Sequence, residues 1–168
     1  MTTLWRGTYT ALVTPFNADG AVDNDFLCAL VDWQLESGVD GIVSCGTTGE
    51  ASTLTNDEHT DVIESVVSRV AGRAKVLAGV GGNDTRNVTV LAARAHEIGA
   101  DGVLAVAPYY NKPTQAGMVA HFSAIADAVD IPLVLYNVPG RTSSNIRPDT
   151  ALRLAEHPNI VGIKEASG

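Results

Sequence analysis

At 168 residues the chain is long enough for one ordinary domain with a sizeable core, and 45 % hydrophobic with 18 % charged residues excludes a disordered chain. A formal net charge of -8 argues against a nucleic-acid or anionic-membrane surface. Aromatics make up only 5 %, so small and branched aliphatics must fill the core. Strand-like and helix-like segments then alternate. Thr8 to Thr14 reads as a strand ended by Pro15, and Asn24 to Ser37 as a helix with Phe26, Leu27, Leu30, Val31 and Leu35 at helical spacing, closed by Gly38. Gly41 to Cys45 is the second strand. Thr55-Asn56-Asp57-Glu58 opens the second helix with a capping-box pattern, and Val62, Ile63, Val66, Val67 and Val70 form its apolar face. Lys75 to Val80 and Thr85 to Ile98 make the third strand and helix, and Gly102 to Ala107 and Gln115 to Val129 the fourth pair. Pro132 to Tyr136 is the fifth strand, Asp149 to Glu156 a short helix, and Ile160 to Ile163 the sixth strand.

Near-continuous apolar strands of this kind are buried on both faces, as in parallel sheets. Strict alternation fits a (β/α)8 barrel or a doubly wound open sheet, and pattern alone does not separate them. The chemistry favours the barrel, because Thr47, Thr48, Tyr110, Tyr136 and Lys164 all follow the ends of different strands. No Gly-x-Gly-x-x-Gly opens the first helix, which weakens a dinucleotide-binding reading. Met1 to Arg6 lacks a charged-then-apolar leader, and no apolar stretch approaches the roughly 18 residues of a membrane span. Cys28 and Cys45 form no disulfide framework or zinc spacing, so they are expected as core thiols in a reducing cytoplasm. His59, His96 and His121 are expected on helix surfaces and His157 in a turn, none of them catalytic.

Three loops and one strand carry the polar chemistry. Gly46-Thr47-Thr48-Gly49-Glu50 offers two hydroxyls and backbone N–H groups to a carboxylate, or is simply a polar turn. Pro108-Tyr109-Tyr110-Asn111 holds adjacent tyrosines that serve as packing residues or as proton carriers. Tyr136-Asn137-Val138-Pro139-Gly140-Arg141-Thr142 puts a phenol at a strand end, followed by a guanidinium fork suited to a carboxylate. Gly162-Ile163-Lys164-Glu165-Ala166 ends an apolar strand with a lysine. Burial disfavours an ammonium ion and leaves a free amine able to attack a carbonyl, so Lys164 is either such an amine or a surface lysine just past a strand.

Together, in this order and spacing from about Trp5 to Gly168, the four motifs resemble the dihydrodipicolinate synthase/N-acetylneuraminate lyase family of Schiff-base aldolases. The resemblance implies a (β/α)8 barrel and a lyase that condenses pyruvate with aspartate semialdehyde, toward diaminopimelate and lysine, with no metal or organic cofactor. Lys164 resembles the lysine that captures the pyruvate carbonyl, and Tyr136 the relay tyrosine, coupled through Thr47 to Tyr110. In this family the second tyrosine reaches in from a neighbouring subunit of a homo-oligomer, a dimer of dimers. Thr48 resembles the holder of the pyruvate carboxylate, and Arg141 the arginine that receives the semialdehyde carboxylate. A lysine-binding pocket maps onto His59, Asn83 and Tyr109. Asn56 and Asn87 stand where regulated members often carry histidine and glutamate, so lysine's ammonium would lack a carboxylate partner there.

The resemblance also sets an expectation about extent. Six strands fall short of eight, so the chain is expected to be an incomplete barrel lacking two βα units and a C-terminal helical region, and inactive by itself. Two alternatives stand beside the synthase: a related pyruvate-dependent sugar-acid aldolase, and a non-catalytic remnant or interaction module that pairs with another chain.

Overall fold

A computed structural model describes residues 5–168; the Met1 to Leu4 part of the segment considered for a leader lies outside them. The elements are β1 (Tyr9–Ala11), α1 (Asn24–Glu36), β2 (Gly41–Ser44), α2 (Asn56–Val70), β3 (Lys75–Gly79), α3 (Thr85–Ile98), β4 (Gly102–Val106), α4 (Gln115–Asp127), β5 (Leu133–Asn137), α5 (Pro139–Thr142), α6 (Pro148–Leu154) and β6 (Ile160–Glu165). The strands form one parallel sheet in the order β1-β2-β3-β4-β5-β6. A doubly wound sheet reverses its strand order at a switch point. Here each strand lies beside its successor, so the sheet winds in one sense and makes the first six-stranded arc of a (β/α)8 barrel.

Local chemistry explains the helix starts. Thr55 accepts from the Glu58 N–H while Glu58 reaches back to the Thr55 N–H, completing the capping box expected for α2. Asp84 caps α3 and Thr114 caps α4 in the simpler one-sided way. β1 is shorter than Thr8 to Thr14, because Thr14 leaves the sheet and its Oγ donates to the Gly49 carbonyl at 2.7 Å. β6 is longer than expected and runs through Lys164 to Glu165. α5, inside what read as a loop, starts with a proline at its first turn, where the missing N–H costs nothing.

Side chains alternate between two layers. Ile42, Val76, Ala78, Val103, Ala105, Leu133 and Leu135 face the helices and join the large outer core with Ile63, Val66, Phe122 and Ile125. Val43, Leu77, Leu104, Tyr136 and Val138 point the other way and form a separate inner cluster. Such a two-sided sheet is what the near-continuous apolar strands required.

At the amino-terminal end of the strands the inner cluster is covered by Trp5 and Tyr9, whose rings lie 5.4 Å apart. Both need a bare neighbour: a Cβ on Gly41 would strike the Tyr9 ring, and one on Gly102 would strike the Trp5 indole and the Pro132 carbonyl. Gly102→Ala is therefore expected to destabilise the fold by about 1–3 kcal/mol, the usual cost of overpacking. Urea titration should show a lower midpoint at unchanged slope; an unchanged midpoint would mean that the indole simply moves aside.

Candidate active site

The carboxyl ends of the strands converge on a cavity of about 440 Å³. After β2, Cys45 takes a left-handed conformation (φ 52°) and the chain folds into a turn closed by the Gly49 N–H to the Gly46 carbonyl at 3.0 Å. Gly49 is packed so closely on β1 that a Cβ there would lie 3.1 Å from the Leu12 carbonyl oxygen. That close approach leaves Thr47 and Thr48 exposed at the top of the turn. After β4, Tyr110 also takes a left-handed conformation (φ 72°) and is 87 % exposed. A bulky aromatic rarely occupies that region, so the loop carries strain. Asn111 steadies it, with its backbone N–H bonded to the Tyr109 carbonyl at 2.8 Å and its side-chain amide to the Asn83 carbonyl at 3.1 Å.

Tyr136 ends the inner face of β5 and is buried to 7 % exposure. It stands in register with Val106 on one side and Lys164 on the other. The Lys164 ammonium nitrogen lies over the Tyr136 ring, 4.4 Å from its centroid, a cation–π geometry. Arg141 is exposed on α5, where buried Thr142 anchors the turn by donating to the Ser144 carbonyl at 2.8 Å.

Of the residues expected at the site, Thr47, Tyr110, Tyr136 and Arg141 line this one cavity. Thr48 belongs to the same turn but is not among the lining residues, and Lys164 joins the group through Tyr136. The Lys164 side chain is exposed, because β6 is paired on one side only and nothing among the described residues covers its end.

Cys45 also lines the cavity, with its thiol pushed up to about 12 by burial and set 3.6 Å from the His59 carbonyl. It is a wall rather than a nucleophile. Cys28, expected in the core, is only half-buried. His59 and His121 are buried rather than at the helix surface. The Nε2–H of His59 donates to the Gly79 carbonyl at 2.7 Å, and His121 Nδ1 pairs with the Thr85 hydroxyl at 2.8 Å. Burial lowers both, His121 to about 4, so both are neutral struts. Their spacing held the signal: His59 precedes Val62 and Ile63, and His121 follows Met118, each on the apolar stripe of its helix.

A second cavity of about 140 Å³ lies behind Tyr109, lined by Asn56, His59, Asn83 and Asn87 among others. Asn56 and Asn87 exchange amide hydrogen bonds of 2.7 and 3.3 Å across it. Among the described residues no group of three or more His, Cys, Asp or Glu side chains is arranged to hold a metal, and no helix is long and apolar enough to cross a membrane.

Comparison with known proteins gives a consistent result. The sequence model of the dihydrodipicolinate synthetase family matches residues 4–168. The chain is 60 % identical to the 4-hydroxy-tetrahydrodipicolinate synthase of Pelobacter propionicus over 165 residues, 98 % of this chain and 57 % of that protein. The crystal structure of dihydrodipicolinate synthase from Aquifex aeolicus superposes with a TM-score of 0.95 at 50 % identity, over 97 % of this chain and 56 % of that one. The chloride-inhibited dihydrodipicolinate synthase of Acinetobacter baumannii, complexed with pyruvate, superposes with a TM-score of 0.94 at 53 % identity, over 96 % and 55 % of the two chains. The chain thus spans somewhat over half the length of the relatives it matches.

Proposed function

Because this chain belongs to the dihydrodipicolinate synthetase family, we propose that the whole protein is a Schiff-base lyase that condenses pyruvate with aspartate semialdehyde to 4-hydroxy-tetrahydrodipicolinate. The observation that carries this reading is the meeting of Thr47, Tyr110, Tyr136 and Arg141 on one cavity, with the Lys164 amine against the Tyr136 ring. The pyruvate bound by the Acinetobacter baumannii relative supports the first substrate.

The Lys164 amine adds to the carbonyl carbon of pyruvate, and loss of water leaves an imine. That imine draws electrons from the methyl group, which gives up a proton to form an enamine. The enamine carbon adds to the aldehyde of the second substrate, whose oxygen takes up a proton. The amine of that substrate then displaces Lys164, closing a ring and freeing the lysine, with one water lost overall. Every step moves a proton. Tyr136, Thr47 and Tyr110 provide hydroxyls on a shared wall for that traffic. Thr48 holds the pyruvate carboxylate from the top of its turn, and Arg141 the semialdehyde carboxylate at the mouth.

The whole protein is a single barrel domain in which residues 1–168 supply six strands, two further βα units complete the wall, and a C-terminal helical region follows. It acts in the cytoplasm, on the route to diaminopimelate and lysine, as a homo-oligomer arranged as a dimer of dimers. Tyr110, 87 % exposed, is the side chain shared between neighbouring copies.

The direct test joins residues 1–168 to the remaining C-terminal part of the Pelobacter propionicus relative, and assays that full-length protein with pyruvate and aspartate semialdehyde beside the 168-residue chain alone. Turnover is expected from the full-length protein only. Without further strands beside β6, Lys164 stays in bulk water, where neither desolvation nor fixed dipoles favour the reaction. A full-length protein that forms imine but turns over only sugar-acid aldehydes would replace the second substrate. In the same protein, Arg141→Ala should raise KM for the semialdehyde about 10- to 100-fold, the value of a lost charge-assisted hydrogen bond of roughly 1.5–3 kcal/mol, and leave capture of pyruvate intact. Loss of pyruvate capture with normal handling of the aldehyde would mean that the two carboxylate sites are reversed.

A further inference from the structure

β6 reaches the catalytic wall out of phase and is brought back into phase by a single extra residue. Ile160 pairs with Leu133 on the helix-facing layer, and strict alternation from there would turn Lys164 toward the helices. Instead the next pair is Val134 with Gly162, so Val161 is an unpaired bulge. Beyond it Ile163 pairs with Leu135, Lys164 with Tyr136 and Glu165 with Asn137. The bulge therefore turns Lys164 to the inner face. A one-residue slip would put Ile163 opposite Tyr136 and hide the amine on the wrong side of the sheet.

A bulge alone does not hold this register, because Gly162 offers no side chain and the residues after Ile160 are largely exposed. The far end of the strand is held by Asn137, which is 1 % exposed on the helix-facing side of β5. Its side-chain amide donates one hydrogen to Asn145 Oδ1 at 2.9 Å and shares the other between both Glu165 oxygens at 3.1 and 3.0 Å. Its Oδ1 accepts the Ile146 N–H at 2.9 Å, and its backbone carbonyl accepts the Ala166 N–H at 2.9 Å. Both hydrogens of the buried amide and one acceptor site of its oxygen are engaged, and its donors go to Asn145 and Glu165. Glu165 is thereby fixed one residue from Lys164, with its carboxyl held below the usual range by the Asn137 amide and then by Ser167.

We propose that Asn137 is a positioning residue which, by clamping Glu165 on the outer face of the sheet, locks the register past the Val161 bulge and aims Lys164 at Tyr136 on the inner face. Asn137 touches neither substrate nor the reacting atoms. The proposal rests on the reading of Lys164 given above.

The test uses the full-length joined protein and measures the rate of borohydride-trappable imine formation against pyruvate concentration. Asn137→Ala is expected to slow the saturated rate about 100-fold, the cost of misplacing a reacting group by about 1 Å, with little change in the pyruvate concentration that gives half the rate. Glu165→Ala should do the same without opening a buried site. Asn137→Asp sets two carboxylates face to face and should be as slow. The double variant Asn137→Asp/Glu165→Gln restores the hydrogen bond with donor and acceptor exchanged and should recover most of the loss, which a general packing role for Asn137 would not. An unchanged rate in Asn137→Ala or Glu165→Ala, or a double variant no faster than Asn137→Asp, overturns the proposal. Hydrogen exchange at the Ala166 amide reads the clamp without substrate: fast in the single variants, slow in the double. If the unsubstituted protein forms no imine at Lys164, the reading of its function fails, and that exchange pattern still decides whether Asn137 holds β6.

Discussion

Incubating the full-length joined protein with pyruvate and borohydride is expected to add one reduced pyruvyl group to Lys164, and Lys164→Arg to abolish both the adduct and turnover. This is the largest effect expected of any substitution, because no other lysine in the chain has the placement to substitute. Lys75 lies at the amino end of β3, bound to the Asp101 carboxylate at 2.5 Å, an interaction that raises its affinity for its proton. A protonated amine has no lone pair to offer a carbonyl. Lys112 sits exposed in the loop after β4, in a left-handed conformation (φ 46°). Lys164 alone shares the inner face with Tyr136. Arginine keeps the charge and length but is never a free amine, so Lys164→Arg separates nucleophilic loss from loss of charge. Peptide mapping by mass spectrometry locates the adduct; an adduct on Lys75 or Lys112, or none, refutes the assignment.

Tyr136→Phe is the second large effect. The phenol is buried between Val106 and Lys164, and phenylalanine fills the same space, so the fold and the inner cluster should be unchanged. Only the hydroxyl is lost. If it carries protons during imine formation and condensation, the saturated rate should fall roughly 100- to 10,000-fold, the range for a general acid–base group. The imine should still form when given time, since Lys164 supplies the nucleophile, so slow trapping to full stoichiometry is the expected signature. Measuring kcat and the trapped fraction together checks this. A turnover number equal to that of the unsubstituted protein would remove Tyr136 from the proton path.

Much of the fold is legible in the sequence alone. The capping box at Thr55 and Glu58 fixed the start of α2, because its two reciprocal bonds depend only on residues three apart. The apolar runs announced buried parallel strands. They could not tell a barrel from an open sheet, since both bury strands on two faces; only the strand order β1-β2-β3-β4-β5-β6 makes that distinction. The candidate site residues are visible as motifs at strand ends, but their exposure is not. The apolar run before Lys164 does not decide whether the lysine is buried, because exposure depends on what lies beside β6. The Val161 bulge left no periodic trace, because a run of apolar residues looks alike in either phase. The bond between Asn137 and Glu165 escapes the sequence for a related reason: the two residues lie 28 positions apart in the chain.

The aromatic pair at the other end of the sheet bears on how the enzyme would work through a cycle. With Trp5 and Tyr9 seated over Gly102 and Gly41, the six-stranded arc is capped by aromatic rings at its amino-terminal end. In a complete barrel capped in this way, whatever enters by the rim would leave by the rim. On the proposed reaction, the water expelled as the first imine forms would have to clear the same opening that the second substrate then occupies, and the finished ring would back out past Arg141 and Tyr110. Traffic through a single doorway would impose an order: the substrate that binds deepest goes in first, and the larger one waits its turn.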